Sequence, residues 1–282
     1  MTTAGLILEG GGMRGIYTAG VLDFFLDAGL TFPAIYGVSA GVCHACSFVS
    51  EQRGRARATV MDYAGTRQYA SVYNLITTGD FFGSQFVYHD VPDRLLPFDY
   101  DAFADSPQTL YSVVTNIETG LPEYIPLGDL RQDMIWVQAS ASLPLLARTV
   151  KLGGKKYLDG GMSDSIPLAR SIADGNQRNV LVLTRHNGYR KEPSSQYKLI
   201  RMRYGKYPEF VAAAKTRHTA YNASLNLAEA EAAAGRAVII HPQEEVHLGR
   251  LERDKGKLSA LYELGFADAR AAVEGNTEFF AG

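Results

Sequence analysis

The spacing of apolar residues along the first third of the chain changes between that of a strand and that of a helix. Residues 5–9 form a short apolar run typical of a buried strand, and residues 16–28 then carry apolar side chains at helical spacing. A second strand-like run spans residues 31–36, and a helix of small residues is expected directly after Ser39. Strand, helix, strand and helix in this order predict a parallel sheet with helices on its faces.

The same sheet is predicted to continue to about residue 184. The run 109–117 is strongly β-like, and Thr119-Gly120 turns it back into a second strand near residues 123–125. The pair Gly153-Gly154 is a hairpin signal between two short apolar runs. The remaining predicted elements of this part are strands at 150–152, 155–158 and 179–184 and helices at 130–139 and from 166 onward.

Residues 73–100 have a different character, because aromatic side chains are crowded there among Gly, Pro and Asp. We expect irregular covering structure in this stretch. Three interpretations stay open: the aromatic side chains line an acyl-chain pocket, the stretch acts as a lid, or the aromatic side chains fill the core beneath a long loop.

The composition changes again after residue 188, which predicts two parts: an α/β domain at 1–188 and a mainly helical C-terminal extension at 189–282. The extension begins basic and polar and then becomes rich in alanine, as expected for a long helix. Its predicted elements are a long helix to about residue 234, a short strand at 237–240 and a terminal helix pair at 256–272.

Composition and charge exclude several classes of protein. With 46% hydrophobic and 21% charged residues, the 282-residue chain has the balance of a globular protein with a sizeable core. A net charge of -2 gives no electrostatic case for binding nucleic acid. The first residues lack a signal-like segment and no apolar run is long enough to span a membrane, so we expect a cytoplasmic location, with transient contact to a lipid surface left open.

A Gly-x-Ser-x-Gly motif follows the second predicted strand. Gly37 and Gly41 flank Ser39, and the order of strand, motif and helix is that of a nucleophile elbow. The turn is sharp, so a side chain at either glycine would collide with neighbouring backbone. A motif this short also arises by chance in a glycine-rich chain, but its position between strand and helix favours Ser39 as a nucleophile.

The glycine run after the first strand has two functional interpretations. Gly10, Gly12 and Gly15 fit the Gly-x-Gly-x-x-Gly pattern of dinucleotide-binding folds, but no acidic residue ends the second strand to bind a ribose. Alternatively, the backbone N–H groups of Gly11 and Gly12 form an oxyanion hole facing Ser39. Arg14 either orients this loop, meets an acidic substrate group, or lies on the surface.

A nucleophilic serine needs a base, and two kinds of candidate are present. None of the six histidines lies in a sequence motif that indicates a catalytic role. A conventional Ser-His-Asp triad would use His241 or His247. Asp159 is the more specific signal because it ends the predicted hairpin and precedes Gly160-Gly161, although such a sequence is often only a turn.

The segment Cys43-His44-Ala45-Cys46 invites a metal or redox interpretation. Four residues on one helical turn cannot complete a tetrahedral site, and the chain has no second cysteine pair. We interpret the segment as structural packing and expect neither a metal nor a cofactor.

These motifs together make the chain resemble the patatin-like phospholipases over about residues 6–184. That family combines a glycine-rich oxyanion loop, a Gly-x-Ser-x-Gly elbow and an Asp-Gly-Gly/Ala motif in the order found here. Two further blocks of the family are also present, Ala139 to Pro144 and Asp164 to Pro167. One departure is Glu9, which stands where many members have Asp or a small residue.

The resemblance implies a three-layer α/β/α fold and a Ser–Asp dyad without a histidine. By the same resemblance, Ser39 is the nucleophile, Asp159 its base, and Gly10, Gly11 and Gly12 the oxyanion hole. Supporting roles are implied for Arg14, Gly37, Gly41, Gly160 and Gly161.

The leading hypothesis is therefore a serine lipid acyl hydrolase, a phospholipase or esterase acting on lipid or other acyl esters. One alternative is an oxidoreductase that binds NAD or NADP on residues 10–15, and another is a catalytically silent binding protein of the same fold. The sequence leaves open the head group, acyl-chain length and positional preference, the oligomeric state, and the choice between hydrolysis and acyl transfer.

Overall fold

The computed structural model of the chain describes residues 3–281. In this part of the chain, one eight-stranded sheet lies between two layers of helices. The strands are β1 (Gly5–Leu8), β2 (Ala34–Val38), β3 (Thr109–Asn116), β4 (Pro122–Leu127), β5 (Val150–Leu152), β6 (Lys155–Asp159), β7 (Asn179–Val182) and β8 (Ala237–Ile240). The helices are α1 (Ile16–Asp27), α2 (Ala40–Val49), α3 (Arg55–Tyr63), α4 (Val72–Thr78), α5 (Tyr100–Ala104), α6 (Leu130–Ser140), α7 (Leu168–Ala173), α8 (Tyr197–Tyr204), α9 (Pro208–Ala233), α10 (Lys255–Gly275) and α11 (Thr277–Phe280), with a π-helical segment at Phe86–Leu95 and 3₁₀ turns at Gly12–Gly15 and Gly160–Met162.

The two faces of the central strand β1 belong to different hydrophobic cores. Leu6 and Leu8 pack with α1, α2 and α10 on one face, while Ile7 packs with α7 and α9 on the other. This alternation follows from the two-residue period of a strand. Strands β8, β7, β1, β2 and β3 are parallel neighbours in that order, while β4, β5 and β6 form the antiparallel part. The predicted α/β fold, with a mostly parallel sheet between helices, is confirmed.

Strands β2 and β6 meet end to end along one edge of β3. Strand β4 pairs with residues 110–115 of β3 and occupies one edge, so both other partners lie on the opposite edge. On that edge Val113 pairs with Val38 of β2, which is parallel, and Val114 pairs with Asp159 of β6, which is antiparallel. The carboxyl ends of β2 and β6 therefore point at each other, and the sheet register brings Ser39 and Asp159 together.

The C-terminal extension is mainly helical, as predicted, and it also completes the sheet. Strand β8 pairs with β7, and α10 packs along α1. Gly20 and Gly265 allow the two helices to approach so closely that a Cβ on either would clash with the backbone of the other. The Tyr17 hydroxyl also donates to Asp268 at 2.7 Å. The division of the chain at residue 188 stays a prediction.

Two local expectations were wrong. Residues 73–100 are not irregular, because they contain most of α4, the π-helical segment and the start of α5. The terminal helix pair at 256–272 is one continuous helix, α10, followed by the short α11. The basic segment 190–206, for which no element was predicted, contains α8. In the first case the polar residues are helix caps: the Ser71 hydroxyl accepts from the N–H of Asn74 at 3.0 Å, and Asp99 accepts from the N–H of Ala102 at 2.9 Å.

Candidate active site

Ser39 lies in the tight turn between β2 and α2 and is only 6% exposed. Its backbone has φ 54° and ψ −121°, in a region that residues with a side chain rarely adopt. The turn is held from below by Ser140, whose hydroxyl accepts from the Ser39 N–H at 2.9 Å and donates to the Val113 carbonyl at 2.6 Å. A Cβ at Gly37 would lie 2.5 Å from the Cα of Val42, so that position requires glycine.

The glycine loop lies directly beside this turn. A Cβ on Gly10 would be 2.8 Å from the Cβ of Ser39, which shows how closely the two segments approach. Gly12 has φ 59°, and the N–H of the next residue, Met13, donates to the carbonyl of Arg250 at 3.1 Å. The N–H groups of Gly11 and Gly12 have no acceptor among residues 3–281. They are therefore available to an anionic oxygen next to Ser39.

Asp159 is buried, with 3% exposure, at the end of β6. Its Oδ1 accepts from the N–H of Gly161 at 2.8 Å, and its backbone is fixed by Ser142 and Thr115. Its Oδ2 is buried and accepts no hydrogen bond of ordinary geometry from any described residue. One carboxyl oxygen is thus free to take a proton.

Burial raises the pKa of Asp159 above its usual value, against the opposing effects of the Ser39 side chain, the Gly161 N–H and Arg217. The Ser39 hydroxyl is close enough to influence this carboxyl without forming a well-aligned hydrogen bond. Hydrogen bonds between catalytic groups are often long or poorly aligned before a substrate binds. A raised pKa makes the carboxylate a stronger base than an exposed aspartate.

The histidines considered for a triad lie elsewhere. His247 is exposed, and His241 contacts the carbonyl of Pro242 at 3.2 Å. Among the described residues, His44 alone of the six histidines lines a cavity that contains Ser39, and burial lowers its pKa to about 4, so its ring is neutral at pH 7. The structure therefore brings an aspartate, and neither His241 nor His247, to the serine.

An apolar cavity extends from Ser39 beneath the segment that was expected to be irregular. We call it the apolar cavity. Cys43, Cys46 and His44 contribute to its wall, and burial raises the pKa of the Cys43 thiol to about 12. Its other lining side chains include Ala56, Val60, Tyr69, Phe82, Val87, Tyr88, Val91, Phe98, Met134 and Val137. The aromatic residues of 73–100 both fill the core and line this space.

A second, smaller cavity opens on the other side of Ser39 and is lined by the glycine loop and Asp159. Five basic side chains line it: Arg14, Arg185, Lys191, Arg217 and Arg250. We call it the basic cavity. Only Arg14 was singled out from the sequence. Of the other four, Arg185 and Lys191 lie in the loop after β7, Arg217 lies on α9 and Arg250 precedes α10. They belong to no local motif, so no pattern along the chain identifies them.

Arg14 and Glu9 both have roles that the sequence left open. Arg14 is 5% exposed and lines the basic cavity, where burial and repulsion from Arg185 lower its pKa to about 10. Glu9 accepts from the Thr184 N–H and from the Tyr221 hydroxyl, each at 2.7 Å. This departure from the family pattern therefore ties the base of the glycine loop to the end of β7 and to α9.

Arg217 on α9 supports the loop after Asp159. Its Nε donates to the carbonyl of Gly161, and its Nη2 donates to the hydroxyl of Ser165 at 3.3 Å. Gly160 lies against the Val113 carbonyl with no room for a side chain. The two glycines after Asp159 thus sit between the sheet and a basic residue from the C-terminal extension.

Three comparisons with known proteins agree with this architecture. A family model described as patatin-like phospholipase matches residues 6–171, and a domain of unknown function, DUF6363, matches residues 207–281. The uncharacterized protein YjjU of Escherichia coli (strain K12) is 32% identical over 185 residues, which cover 64% of this chain and 51% of that protein. The chain thus spans about half the length of this relative. The crystal structure of VipD from Legionella pneumophila superimposes with a TM-score of 0.50 over 96% of this chain and 67% of that one, at 13% identity, which is a likeness of fold.

Proposed function

The chain belongs to the patatin-like phospholipase family, and from that premise we propose that it is a serine lipid acyl hydrolase with Ser39 as its nucleophile. The observation that carries the proposal is the juxtaposition of Ser39, the free N–H groups of Gly11 and Gly12, and buried Asp159 in one cavity. Each of these groups has the chemistry that ester cleavage requires of it.

In the proposed reaction, Ser39 Oγ attacks the ester carbonyl carbon while its proton passes to Asp159. The oxygen that becomes negative is bound by the N–H groups of the glycine loop, Gly10 to Gly12. Collapse of this intermediate expels the alcohol, which takes the proton from Asp159 and leaves the acyl group on Ser39. Water then attacks the acyl-enzyme while Asp159 again accepts the proton, and Asp159 returns this proton to Ser39 Oγ as the carboxylic acid is released.

The apolar cavity supports an acyl chain as the group that is transferred. It begins at Ser39 and is walled mainly by aliphatic and aromatic side chains, which bind a hydrocarbon chain by removing it from water. An acyl-chain pocket is one of the three interpretations that the sequence left open for residues 73–100.

Contact with a lipid surface is a further part of the proposal. No helix among residues 3–281 is long and apolar enough to cross a membrane. Helix α8 exposes Leu199 (52%) and Met202 (78%) beside the cations Lys198, Arg201 and Arg203. We expect Met202→Glu to weaken binding to phosphatidylglycerol vesicles in a flotation assay, and Leu264→Glu, on α10, to leave it unchanged. Equal flotation of the two variants would show that α8 does not contact the lipid surface. The cytoplasmic location stays a prediction.

Two other hypotheses have less support. A dinucleotide site would need a carboxylate at the end of β2, where Val38 and Ser39 stand. A catalytically silent protein would have no need of a buried aspartate whose Oδ2 lacks a partner, since such a group costs stability.

Labelling with a fluorophosphonate probe tests the nucleophile. The wild-type protein should become labelled, and Ser39→Ala should not. Ser195→Ala, which removes an exposed serine, is the matched control and should label fully. Equal labelling of Ser39→Ala and wild type, or no labelling of folded wild type, would contradict the proposal.

A further inference from the structure

The basic cavity holds an excess of positive charge that the protein itself does not balance. Its five basic side chains, Arg14, Arg185, Lys191, Arg217 and Arg250, outnumber its carboxylates, Glu9 and Asp159, by three. Within residues 3–281, none of the five makes an ion pair with a carboxylate within 4.0 Å. Other arginines do find such partners, as Arg148 does with Asp80 at 2.8 Å.

The two carboxylates already have other hydrogen-bond partners. Glu9 uses both oxygens to bind Thr184 and Tyr221, and Asp159 uses one to bind the N–H of Gly161. Neither forms a salt bridge across the cavity. The surplus charge is therefore exposed to whatever enters the space beside Ser39.

Two of these cations are held in unfavourable surroundings. Burial and repulsion from Arg217 lower the pKa of Lys191 to about 7, and the buried Nε of Arg14 has no hydrogen-bond partner among the described residues. Desolvated charges without a counter-ion are costly, so a fold that keeps them has a compensating anion in at least one functional state.

Resting on the proposed hydrolase function, we propose that the basic cavity is a subsite for a phosphate group of the substrate. The group best matched is a doubly charged phosphomonoester, because four guanidinium groups and one ammonium converge on one small space. Guanidinium groups bind phosphate oxygens through paired, charge-assisted hydrogen bonds.

A zwitterionic head group fits this cavity less well. No aromatic ring among residues 3–281 lines the basic cavity to hold a quaternary ammonium. Two rings outside its lining already face its cations: Arg185 lies 4.6 Å from the ring of Tyr189 and Lys191 4.2 Å from that of Tyr221. A choline group would add a sixth positive charge. The proposal therefore predicts discrimination by head-group charge.

Binding to Ser39→Ala protein, measured by calorimetry, tests the subsite without turnover. The probes are dihexanoyl phosphatidic acid, dihexanoyl phosphatidylcholine and inorganic phosphate, each below any micelle-forming concentration. We expect phosphatidic acid to bind at least roughly tenfold more tightly than phosphatidylcholine, because about one charge-assisted contact separates them. Phosphate alone should bind more weakly and compete with phosphatidic acid.

Variants locate the effect in the cavity. Arg185→Gln and Lys191→Gln should each reduce the preference for phosphatidic acid by roughly tenfold. Lys151→Gln removes an equal charge from an exposed position of β5, outside both cavities, and should leave the preference unchanged.

Three results would overturn the subsite: equal binding of the two lipids, a preference that survives in folded Arg185→Gln and Lys191→Gln, or phosphate binding as tightly as phosphatidic acid. The last result would assign the cavity to free phosphate. Because the measurement needs no hydrolysis, it is independent of fluorophosphonate labelling. A preference for phosphatidic acid in a protein that the fluorophosphonate probe does not label would support the subsite and contradict the hydrolase proposal. Labelling without such a preference would support the hydrolase proposal and contradict the subsite.

Discussion

The apolar cavity and the basic cavity meet at Ser39, but different parts of the chain line them. The apolar cavity is walled by α2, α3, α6 and residues 69–98, all within the first half of the chain. The basic cavity takes four of its five cations from residues 185–250, which lie after β7. The proposed reaction centre at Ser39 thus lies between one wall that is mostly contiguous in sequence and another that is assembled from distant segments.

The difference shows how the two walls relate to stability. The apolar side chains around the apolar cavity belong to the largest hydrophobic core. The proposed binding of an acyl chain and the folding of the protein therefore depend on the same residues. The cations of the second cavity repel one another and form no ion pair with a carboxylate of residues 3–281, so they oppose folding while preparing a site for an anion. The four predictions that follow test this contrast, beginning with the centre that both cavities share.

The largest effect is expected from Asp159→Asn, which replaces the proposed base with a neutral side chain of nearly the same shape. Hydrolysis of nitrophenyl butanoate should fall by roughly 10²–10⁴-fold, as expected when a general base is lost. In the wild type, kcat/KM should rise with pH as Asp159 ionises, at a pH above the usual range for an aspartate, because burial raises its pKa. His241→Ala and His247→Ala are the controls and should keep their activity. A histidine variant as inactive as Asp159→Asn would replace the dyad by a triad.

The next effect concerns the apolar cavity alone. Ala56 is buried in its wall, and Ala56→Phe would fill part of the space. The ratio of kcat/KM for dodecanoyl over butanoyl nitrophenyl esters should fall by roughly ten- to a hundredfold, since longer chains lose their binding space. Ala223→Phe, on the exposed face of α9, should leave the ratio unchanged. An unaltered ratio in folded Ala56→Phe would show that acyl chains lie elsewhere.

A smaller effect is expected from pH acting on the basic cavity. Lys191 has a pKa of about 7, so it loses its charge as the pH rises from 6 to 8.5. Sulfate keeps its charge over this range, and its binding to Ser39→Ala should weaken by up to about tenfold. The charged and titratable groups around Lys191 are Glu9, Arg185, Tyr189, Arg217, Tyr221 and Arg250. Lys191→Gln should flatten the profile, and an equally steep profile in that variant would assign the titration to another group.

The smallest effect is on stability. The folded-state pKa of Lys191 is lowered, so below pH 7 its charge disfavours the folded state, and this penalty fades as the pH rises from about 7 towards the usual value of a lysine. Lys191→Met should therefore raise the free energy of unfolding, by roughly 0.5–2 kcal/mol. The increase in Tm, measured by calorimetry, should be larger at pH 6 than at pH 9. A decrease at pH 6 would mean that Lys191 has a stabilising partner.

Much of the fold could be predicted because its signals are local. Apolar spacing placed β1, α1 and β2, and Gly153-Gly154 placed the β5–β6 hairpin. The failures are local as well. In residues 73–100, Gly, Pro and Asp were interpreted as loop residues although Asp99 caps α5 and the π-helical segment contains Pro92.

The residues of the candidate site also divide into those that local motifs predict and those that tertiary packing alone places there. Ser39, Asp159 and the glycine loop were predicted because each lies in a short motif at the end of a strand. Arg217 and Lys191 were missed, since their position depends on how α9 and the loop after β7 pack against the sheet, which no spacing along the chain encodes. Their participation in the site follows only from the tertiary structure.

The meeting of β2 and β6 along β3 also has a consequence for how the chain tolerates insertions and deletions. The distance between Ser39 and Asp159 is set by hydrogen-bond register with β3, so the β5–β6 turn at Gly153-Gly154 is free to vary in length without moving Asp159. One residue added within Lys155–Asp159 would instead shift the carboxylate by about 3.4 Å and turn it to the opposite face of the sheet. Strand register therefore fixes the separation of Ser39 and Asp159. Insertions and deletions in related chains should occur at the β5–β6 turn and be absent from β6.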